Sequence, residues 1–424
     1  MGRPAPSIKV MATDAHFGSL IGDDQEIAIG VVMRTVAGRT LQFAVAVELN
    51  RLASSPHLSA IPLFTFAWVT LAAGGAPQRM IQLFNACVGW LPGGIASVAI
   101  ASCAFFTAFS GASGVTILAL GGLMFPMLAH AGYKERFNLG LLTTSGSLGL
   151  LFPPSLAILL YGIVAGVSID QMFLAGVVPG VLLMLMLMGY CLYVGRKTSV
   201  PRHTFSWMVL ARALKEGFWD LLLPVGILVG IFGGFVTISE ASACTAVYVL
   251  VLEGIIHREI HLVNHLPELL KDAAVLVGSI LVILSVAMGL TNLLIDAQVP
   301  TKILSFMQTH IDSQLQFLIL LNVFLLIVGC MMDIFSATVV VVPLILPIAK
   351  SYGVNPVHLG VIFLANLEIG YSTPPVGINL FIASQRFNRP VLSLFRAALP
   401  FLALMLLWLG LITYVPFFSL WWQG

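Results

Sequence analysis

The chain has 424 residues, of which 59% are hydrophobic and only 9% charged, with a formal net charge of +2. Soluble domains carry roughly a quarter charged residues, so most of this chain belongs in a bilayer and a sizeable water-soluble domain is excluded. No basic patch with interleaved aromatics points to nucleic acid, and the five cysteines are scattered without metal-ligand spacing.

Residues 1–57 are the least membrane-like part of the chain and carry no signal peptide of the usual form. Arg34, Arg39, Glu48 and Arg51 interrupt their only apolar run. An arginine at the centre of a membrane helix costs about 2.5–3.5 kcal/mol on insertion scales, so the region reads as surface or interfacial. Membrane helices need roughly 17–25 apolar residues. Residues 58–74 supply one such run, followed by an amphipathic stretch at 76–90. Residues 92–130 are apolar but broken at Ser110 to Gly114, and 137–168 are broken at Pro153-Pro154. Full spans follow at 172–195, 219–237, 240–256 and 274–295, then a short amphipathic piece near 300–310. Residues 315–350 are broken around Gly329 to Ser336, and 356–385 at Thr373-Pro374-Pro375. A last span covers about 398–418.

Six blocks result: an atypical N-terminal region (1–57), a scaffold helix with an amphipathic arm (58–91), a first transport unit (92–171), scaffold helices with a second arm (172–314), a second transport unit (315–390) and a C-terminal scaffold helix (391–424). The two broken units share their punctuation. Pro126, Gly132, Gly149 and Pro153-Pro154 in the first correspond to Pro347, Gly353, Gly370 and Pro374-Pro375 in the second, at one constant spacing. Helix breakers at matched places in two apolar halves are the best sequence pointer to the binding site of a secondary transporter.

Cytoplasmic loops are enriched in Lys and Arg. The connector of the first unit holds Lys134 and Arg136, whereas in the second unit the basic residues Arg386, Arg389 and Arg396 follow the Pro-Pro pair. The loop 196–215, with five Lys or Arg, fits the cytoplasm, and 296–314, with only Lys302, fits the outside. The units therefore read as an inverted repeat, one hairpin opening to each side.

Irregular backbone survives at membrane depth only where protein buries it or a water-filled cavity meets it. Carbonyls freed at such a break suit a hard cation such as Na⁺, and amides at a helix start suit a carboxylate. Hydroxyls and amides at the breaks are candidate ligands: Ser110, Ser113, Thr143, Thr144, Ser145, Ser147 and Ser155 in one unit, and Ser336, Thr338, Asn366, Ser372, Thr373 and Asn379 in the other. Ionisable residues inside a membrane are costly and so informative. Asp333 and Glu368 belong to the second unit. Glu240 follows Thr237 at a helix start, where capping and coupling are both open. His130 and His358 lie near connectors, where a structural role is the better reading.

At these motifs the chain resembles the large membrane subunit of tripartite ATP-independent periplasmic (TRAP) transporters. The matching segments include Ile61-Pro-Leu-Phe64, Leu91-Pro-Gly-Gly94, Phe109-Ser-Gly-Ala-Ser113, Ala131-Gly-Tyr133, Gly149 to Ser155, Tyr161-Gly162, Ala165-Gly-Val-Ser168 and Phe173-Leu-Ala-Gly176. Pro179-Gly180, Ser239-Glu-Ala241, Met332-Asp333 and Thr373-Pro-Pro-Val-Gly-Ile-Asn379 continue the series. The resemblance runs from about residue 44 to the end. It implies an all-α polytopic membrane protein of the ion-transporter type, with two re-entrant hairpins, two Pro-Pro broken helices and an elevator motion. It also implies Na⁺ as coupling ion, no other cofactor, and an organic acid such as a C4-dicarboxylate or sugar acid as substrate. A periplasmic binding protein would deliver that acid, and a small membrane subunit would complete the assembly in the bacterial inner membrane.

By the family pattern, one Na⁺ site falls at Ser110, Ser113, Gly149 and Phe152 and the other at Gly329, Gly370, Thr373 and Val376. Substrate contacts fall at Ser113, Ser147, Pro154, Ser155, Thr373, Pro375 and Asn379, with Asp333 and Glu240 in coupling or structural roles. The family normally opens with a hydrophobic helix, which residues 1–43 do not supply.

Two other readings compete. A stand-alone symporter of similar fold would work without a binding protein. An intramembrane serine hydrolase is suggested by Gly111-Ala-Ser-Gly114, but it needs a histidine base within reach of Ser113. An ATP-driven machine is disfavoured, since the chain has no GxxxxGK[ST].

Overall fold

The structure, a computed structural model, describes residues 59–423 apart from 112, 199–204, 262–264, 297 and 312. The expected N-terminal region, residues 1–57, lies outside the described residues. The rest is helical, with no strand among the described residues. Six helices are long and apolar enough to cross a membrane, or seven when a bent pair counts as one span.

That bent pair is α1 (Ala60–Ala73) and α2 (Ala76–Val88), which meet at 74°. Gly74 and Gly75 allow the turn, and Pro77 in the first turn of α2 starts a new helix there. The α2 arm is pinned by one side chain. Arg79 donates through Nε and Nη2 to both oxygens of Asp220, at 2.7 and 3.0 Å, through Nη2 to Glu253 at 2.6 Å, and through Nη1 to Glu259 at 2.9 Å. Asp220 and Glu253 are fully buried, so the guanidinium neutralises carboxylates that could not stand alone in the protein.

The first broken unit is α3 (Gly94–Ser110), α4 (Ser113–His130), α5 (Glu135–Ser145) and α6 (Leu156–Ala165). The long span α7 (Ile169–Lys197) follows, then α8 (Trp207–Phe232) and α9 (Ile238–Val251), which continues as a π-turn over Leu252–Ile256. Next come α10 (Leu266–Asp296) and the short arm α11 (Val299–His310). The second unit is α12 (Gln314–Met331), α13 (Ile334–Ser351), α14 (Pro356–Gly370) and α15 (Ile378–Phe387). The chain closes with α16 (Val391–Tyr414) and α17 (Phe417–Leu420).

Several helices extend beyond the apolar runs that announce them. Helix α8 starts at Trp207 rather than 219, α10 at Leu266 rather than 274 and α16 at Val391 rather than 398. Apolar composition marks only the hydrocarbon-facing length, whereas backbone hydrogen bonding continues through polar stretches such as Arg212 to Glu216. The last expected span, 398–418, instead ends at Tyr414, and Pro416 starts α17. The breaks are also wider than the Pro-Pro pairs. The first occupies residues 146–155 and the second 371–377.

Packing crosses between the units. Helix α4 of the first hairpin lies against α15 of the second unit, and α13 of the second hairpin lies against α6 of the first. Helix α16, expected in the scaffold, packs along α5 and α14. Large buried aromatics tie these layers together: Trp408 Nε1 in α16 donates to the Pro179 carbonyl of α7 at 2.9 Å, and Tyr161 in α6 donates to the Pro356 carbonyl at the start of α14 at 2.8 Å.

Candidate substrate and ion site

The first break descends from α5 through successive turns. The amides of Leu148, Leu150, Phe152 and Ser155 donate to carbonyls three residues back. The buried Ser155 side chain then accepts from Ala157 N and caps α6. The second break has the same character. Ser372 N and Thr373 N donate three residues back, to Ile369 O and Gly370 O, and Gly377 N crosses to Cys330 O of α12 at 2.9 Å. Both Pro-Pro bonds, Pro153-Pro154 and Pro374-Pro375, are cis.

Glycines let backbone reach backbone at both places. A Cβ on Gly149 would stand 2.1 Å from Ala108 N and 2.3 Å from Ala104 O. A Cβ on Gly370 would stand 2.4 Å from the Gly329 carbonyl carbon, and one on Gly329 would meet Leu367 Cα at 2.9 Å. Each broken helix is thereby pressed against the first arm of its own hairpin. At the tip of the first hairpin Gly111 takes a left-handed φ of 60°, which lets α3 turn into α4 over the start of α6.

The expected site residues divide into those that meet and those that do not. Ser113, buried at the start of α4, donates to Asn379 Oδ1 at 2.6 Å, joining the first hairpin tip to the second break. Asn379 Nδ2 is buried and has no hydrogen-bond partner among the described residues. Gly329 and Gly370 are in contact. Thr373, one turn further, returns its hydroxyl to Ile369 O at 3.0 Å. Pro375 and Val376 are exposed, whereas Pro154 and Ser155 are buried. Phe152 leans on Gly180 of α7, where a Cβ would meet its ring at 3.0 Å. Ser110 closes α3, and its side chain, like Ala112, lies outside the described residues. Ser147 is buried, with its hydroxyl 3.4 Å from the Glu368 carbonyl.

The acidic candidates have local partners. Asp333 caps α13, accepting from Phe335 N at 2.9 Å, Ser336 N at 3.1 Å and the Ser336 hydroxyl. Glu240 completes a reciprocal capping box with Thr237, whose amide donates to it at 2.7 Å. Glu368 differs: it is wholly buried in the last turn of α14, and neither carboxylate oxygen has a hydrogen-bond partner among the described residues.

Two features escaped the reading of residue types. Thr107 donates to the Gly146 carbonyl at 2.6 Å and so ties α3 to the first break. A threonine inside a helix reads as a back-bond to its own turn, and only the fold shows otherwise. Ser372 was noted among the hydroxyls at the breaks, but its burial without a partner is a tertiary fact. The histidines are engaged away from Ser113: His358 contacts Ser419 Oγ at 2.6 Å, and His130 contacts the Pro126 carbonyl at 2.7 Å. Ser113 is bonded to an asparagine, which cannot serve as the base a hydrolase needs. Among the described residues, no three His, Cys, Asp or Glu gather as a metal cluster. An ion at these breaks would rely on carbonyls and hydroxyls, as hard cations do.

Comparison with known proteins matches the chain to a family. The model described as "Tripartite ATP-independent periplasmic transporter, DctM component" matches residues 11–418. The C4-dicarboxylate TRAP transporter large permease protein DctM of Vibrio cholerae is 36% identical over 392 residues, covering 88% of this chain and 86% of that protein. The isethionate TRAP transporter permease protein DctMQ of Oleidesulfovibrio alaskensis is 35% identical over 94% of this chain, which spans 64% of that longer protein. The ectoine/5-hydroxyectoine TRAP transporter large permease protein UehC of Ruegeria pomeroyi is 32% identical over 82% of each chain. Among solved structures, the Alcanivorax borkumensis YdaH transporter superposes with a TM-score of 0.58 at 13% identity, covering 93% of this chain and 89% of that one.

Proposed function

The chain belongs to the DctM-component family of tripartite ATP-independent periplasmic transporters, and on that premise we propose that it imports a small organic acid in symport with Na⁺. It is a multi-pass membrane protein, and the reading places it in the bacterial inner membrane. A soluble periplasmic protein delivers the acid, and a small membrane subunit stands against the scaffold. Relatives named for C4-dicarboxylates, isethionate and ectoine span acids of similar size, which supports the class rather than one member.

The observation that carries the proposal is the Ser113–Asn379 hydrogen bond. It brings the tip of one hairpin to the break of the other unit and leaves Asn379 Nδ2 as a buried donor without a partner among the described residues. A carboxylate accepts from such a donor, and the carbonyls of the adjacent turns suit Na⁺. Ser147, Pro154, Ser155, Thr373 and Pro375 border the same two breaks. The sites at Ser110, Ser113, Gly149 and Phe152, and at Gly329, Gly370, Thr373 and Val376, are the proposed Na⁺ positions. Exchanged packing of α4 on α15 and α13 on α6 supports an inverted repeat moving as one body. In an elevator cycle, the exposed Pro375–Val376 side and the buried Pro153–Ser155 side would trade exposure.

Uptake into proteoliposomes tests this. With the binding protein and small subunit supplied, uptake of a C4-dicarboxylate should require an inward Na⁺ gradient. Uptake indifferent to Na⁺ defeats the coupling; uptake without the binding protein makes the chain a stand-alone symporter.

A further inference from the structure

Where the connector of the first unit meets the start of α16, a cavity of about 530 Å³ is lined by Glu135, Arg136, Leu139, Arg389, Leu392 and Arg396, among others. Its charges do not balance. Arg389 is spent on Glu135 at 2.7 Å, and Arg136 reaches only the Arg396 carbonyl, at 2.9 Å. With the one lining carboxylate, Glu135, paired to Arg389, the guanidinium groups of Arg136 and Arg396 face the cavity without a carboxylate partner among the described residues. All three arginines are exposed. The wall between them is apolar, and Leu392 is 57% exposed. Helix α16 is a candidate membrane span that begins at Val391, so this cavity opens at a membrane surface, where one end meets headgroups and the other meets acyl chains.

We propose that this cavity binds the headgroup of an anionic phospholipid. The phosphate sits between Arg136 and Arg396, a planar donor pair suited to phosphate oxygens, and an acyl chain lies over Leu392 and Leu139. The occupant is a lipid rather than a soluble phosphate because the charge surplus adjoins an exposed leucine at the end of a span; basic pockets between membrane helices hold such headgroups. The lipid would clamp α5 of the first unit to α16, independently of the transported substrate.

The test uses the full chain in detergent with phosphatidylglycerol or phosphatidylcholine added, and reads bound lipid by native mass spectrometry and the melting temperature. Phosphatidylglycerol should bind preferentially and raise the melting temperature. Arg396→Gln should weaken that binding about fivefold, on the scale of one arginine near an anionic surface, and Arg136→Gln/Arg396→Gln should abolish the preference. The lipid-free melting temperature of Arg396→Gln should equal that of the parent, since its guanidinium makes no hydrogen bond among the described residues. Equal binding of the two lipids, or a preference untouched in the double variant, overturns the proposal. So does inorganic phosphate giving the same stabilisation as phosphatidylglycerol.

Discussion

The Ser147 hydroxyl and the Glu368 carbonyl are 3.4 Å apart in space and 221 residues apart in sequence. That interval also separates Gly149 from Gly370 and the first Pro-Pro pair from the second. Positions that the constant spacing pairs therefore meet in space at this contact. The same interval relates the backbone partners, since Gly149 presses on Ala108 and Gly370 on Gly329.

Those close approaches make the two glycines the most sensitive positions at the breaks. In Gly149→Ala the new Cβ would stand 2.1 Å from a backbone nitrogen, and in Gly370→Ala 2.4 Å from a backbone carbon. Neither partner is a flexible side-chain end. Each variant should lose about 1–3 kcal/mol of stability, read as a lower melting temperature in detergent. Gly410→Ala, where a Cβ meets nothing within 4 Å, should melt at or above the parent temperature.

Arg79 should be indispensable to the arm. Arg79→Leu strands the buried Asp220 and Glu253 without a counter-charge. Breaking a buried ion pair from one side costs about 3–5 kcal/mol, so unfolded or poorly inserted protein is expected. Arg79→Lys should recover only part of the loss, because a single ammonium cannot reproduce the two-nitrogen contact with Asp220. Size-exclusion profiles and melting curves read both outcomes.

The pH dependence of the arm follows from Glu259, which lies beyond the spans. Burial alone would raise its carboxyl; the Arg79 guanidinium and the Gly75 amide outweigh burial and hold it below the usual carboxylate range. A depressed folded value means the stabilisation is complete above the unfolded carboxylate value, about 4.3, and is lost as pH falls through the folded one. The contribution of Glu259 to the melting temperature should therefore be complete near neutrality and decline below about pH 4. Glu259→Gln should remove part of that acid limb while lowering the neutral plateau.

Ser113 and Asn379 should act as a pair. Ser113→Ala and Asn379→Ala each break the 2.6 Å bond between the units, so the double variant should cost less than the two singles added together. A coupling of about 1 kcal/mol is expected for such a bond. The Na⁺ concentration for half-maximal uptake is the measure, and strictly additive effects would separate the two residues.

Glu368 offers the opposite expectation. A buried carboxyl with no donor on either oxygen contributes no hydrogen bond to the fold, and an unpaired charge there is costly. Glu368→Gln keeps the shape and removes the ionisable group. It should melt at or above the parent temperature, and a clear fall would mean that the carboxylate is engaged during folding or transport.

Apolar runs, breakers and their constant spacing are local properties, so the helix breaks and the two amphipathic arms could be read from the sequence with boundaries good to a few residues where the helix is apolar throughout. Polar leading segments of helices escaped that reading, because helical hydrogen bonding does not stop where hydrocarbon does. The residue types at the breaks could also be read, since only glycine, proline and small hydroxyl residues suit irregular backbone at membrane depth. Which of them meet could not. That Ser113 reaches Asn379, that Thr107 rather than a break hydroxyl holds the Gly146 carbonyl, and that the Glu368 carboxyl has no partner among the described residues all depend on segments distant in sequence being folded onto one another. Likewise, Asp333 and Glu240 look alike as acids in apolar company, and only the geometry of their own helix starts makes both of them caps. Periodicity and composition act within one helix and are written along the chain; pairing, burial and the balance of charge arise between helices, and those only the tertiary structure decided.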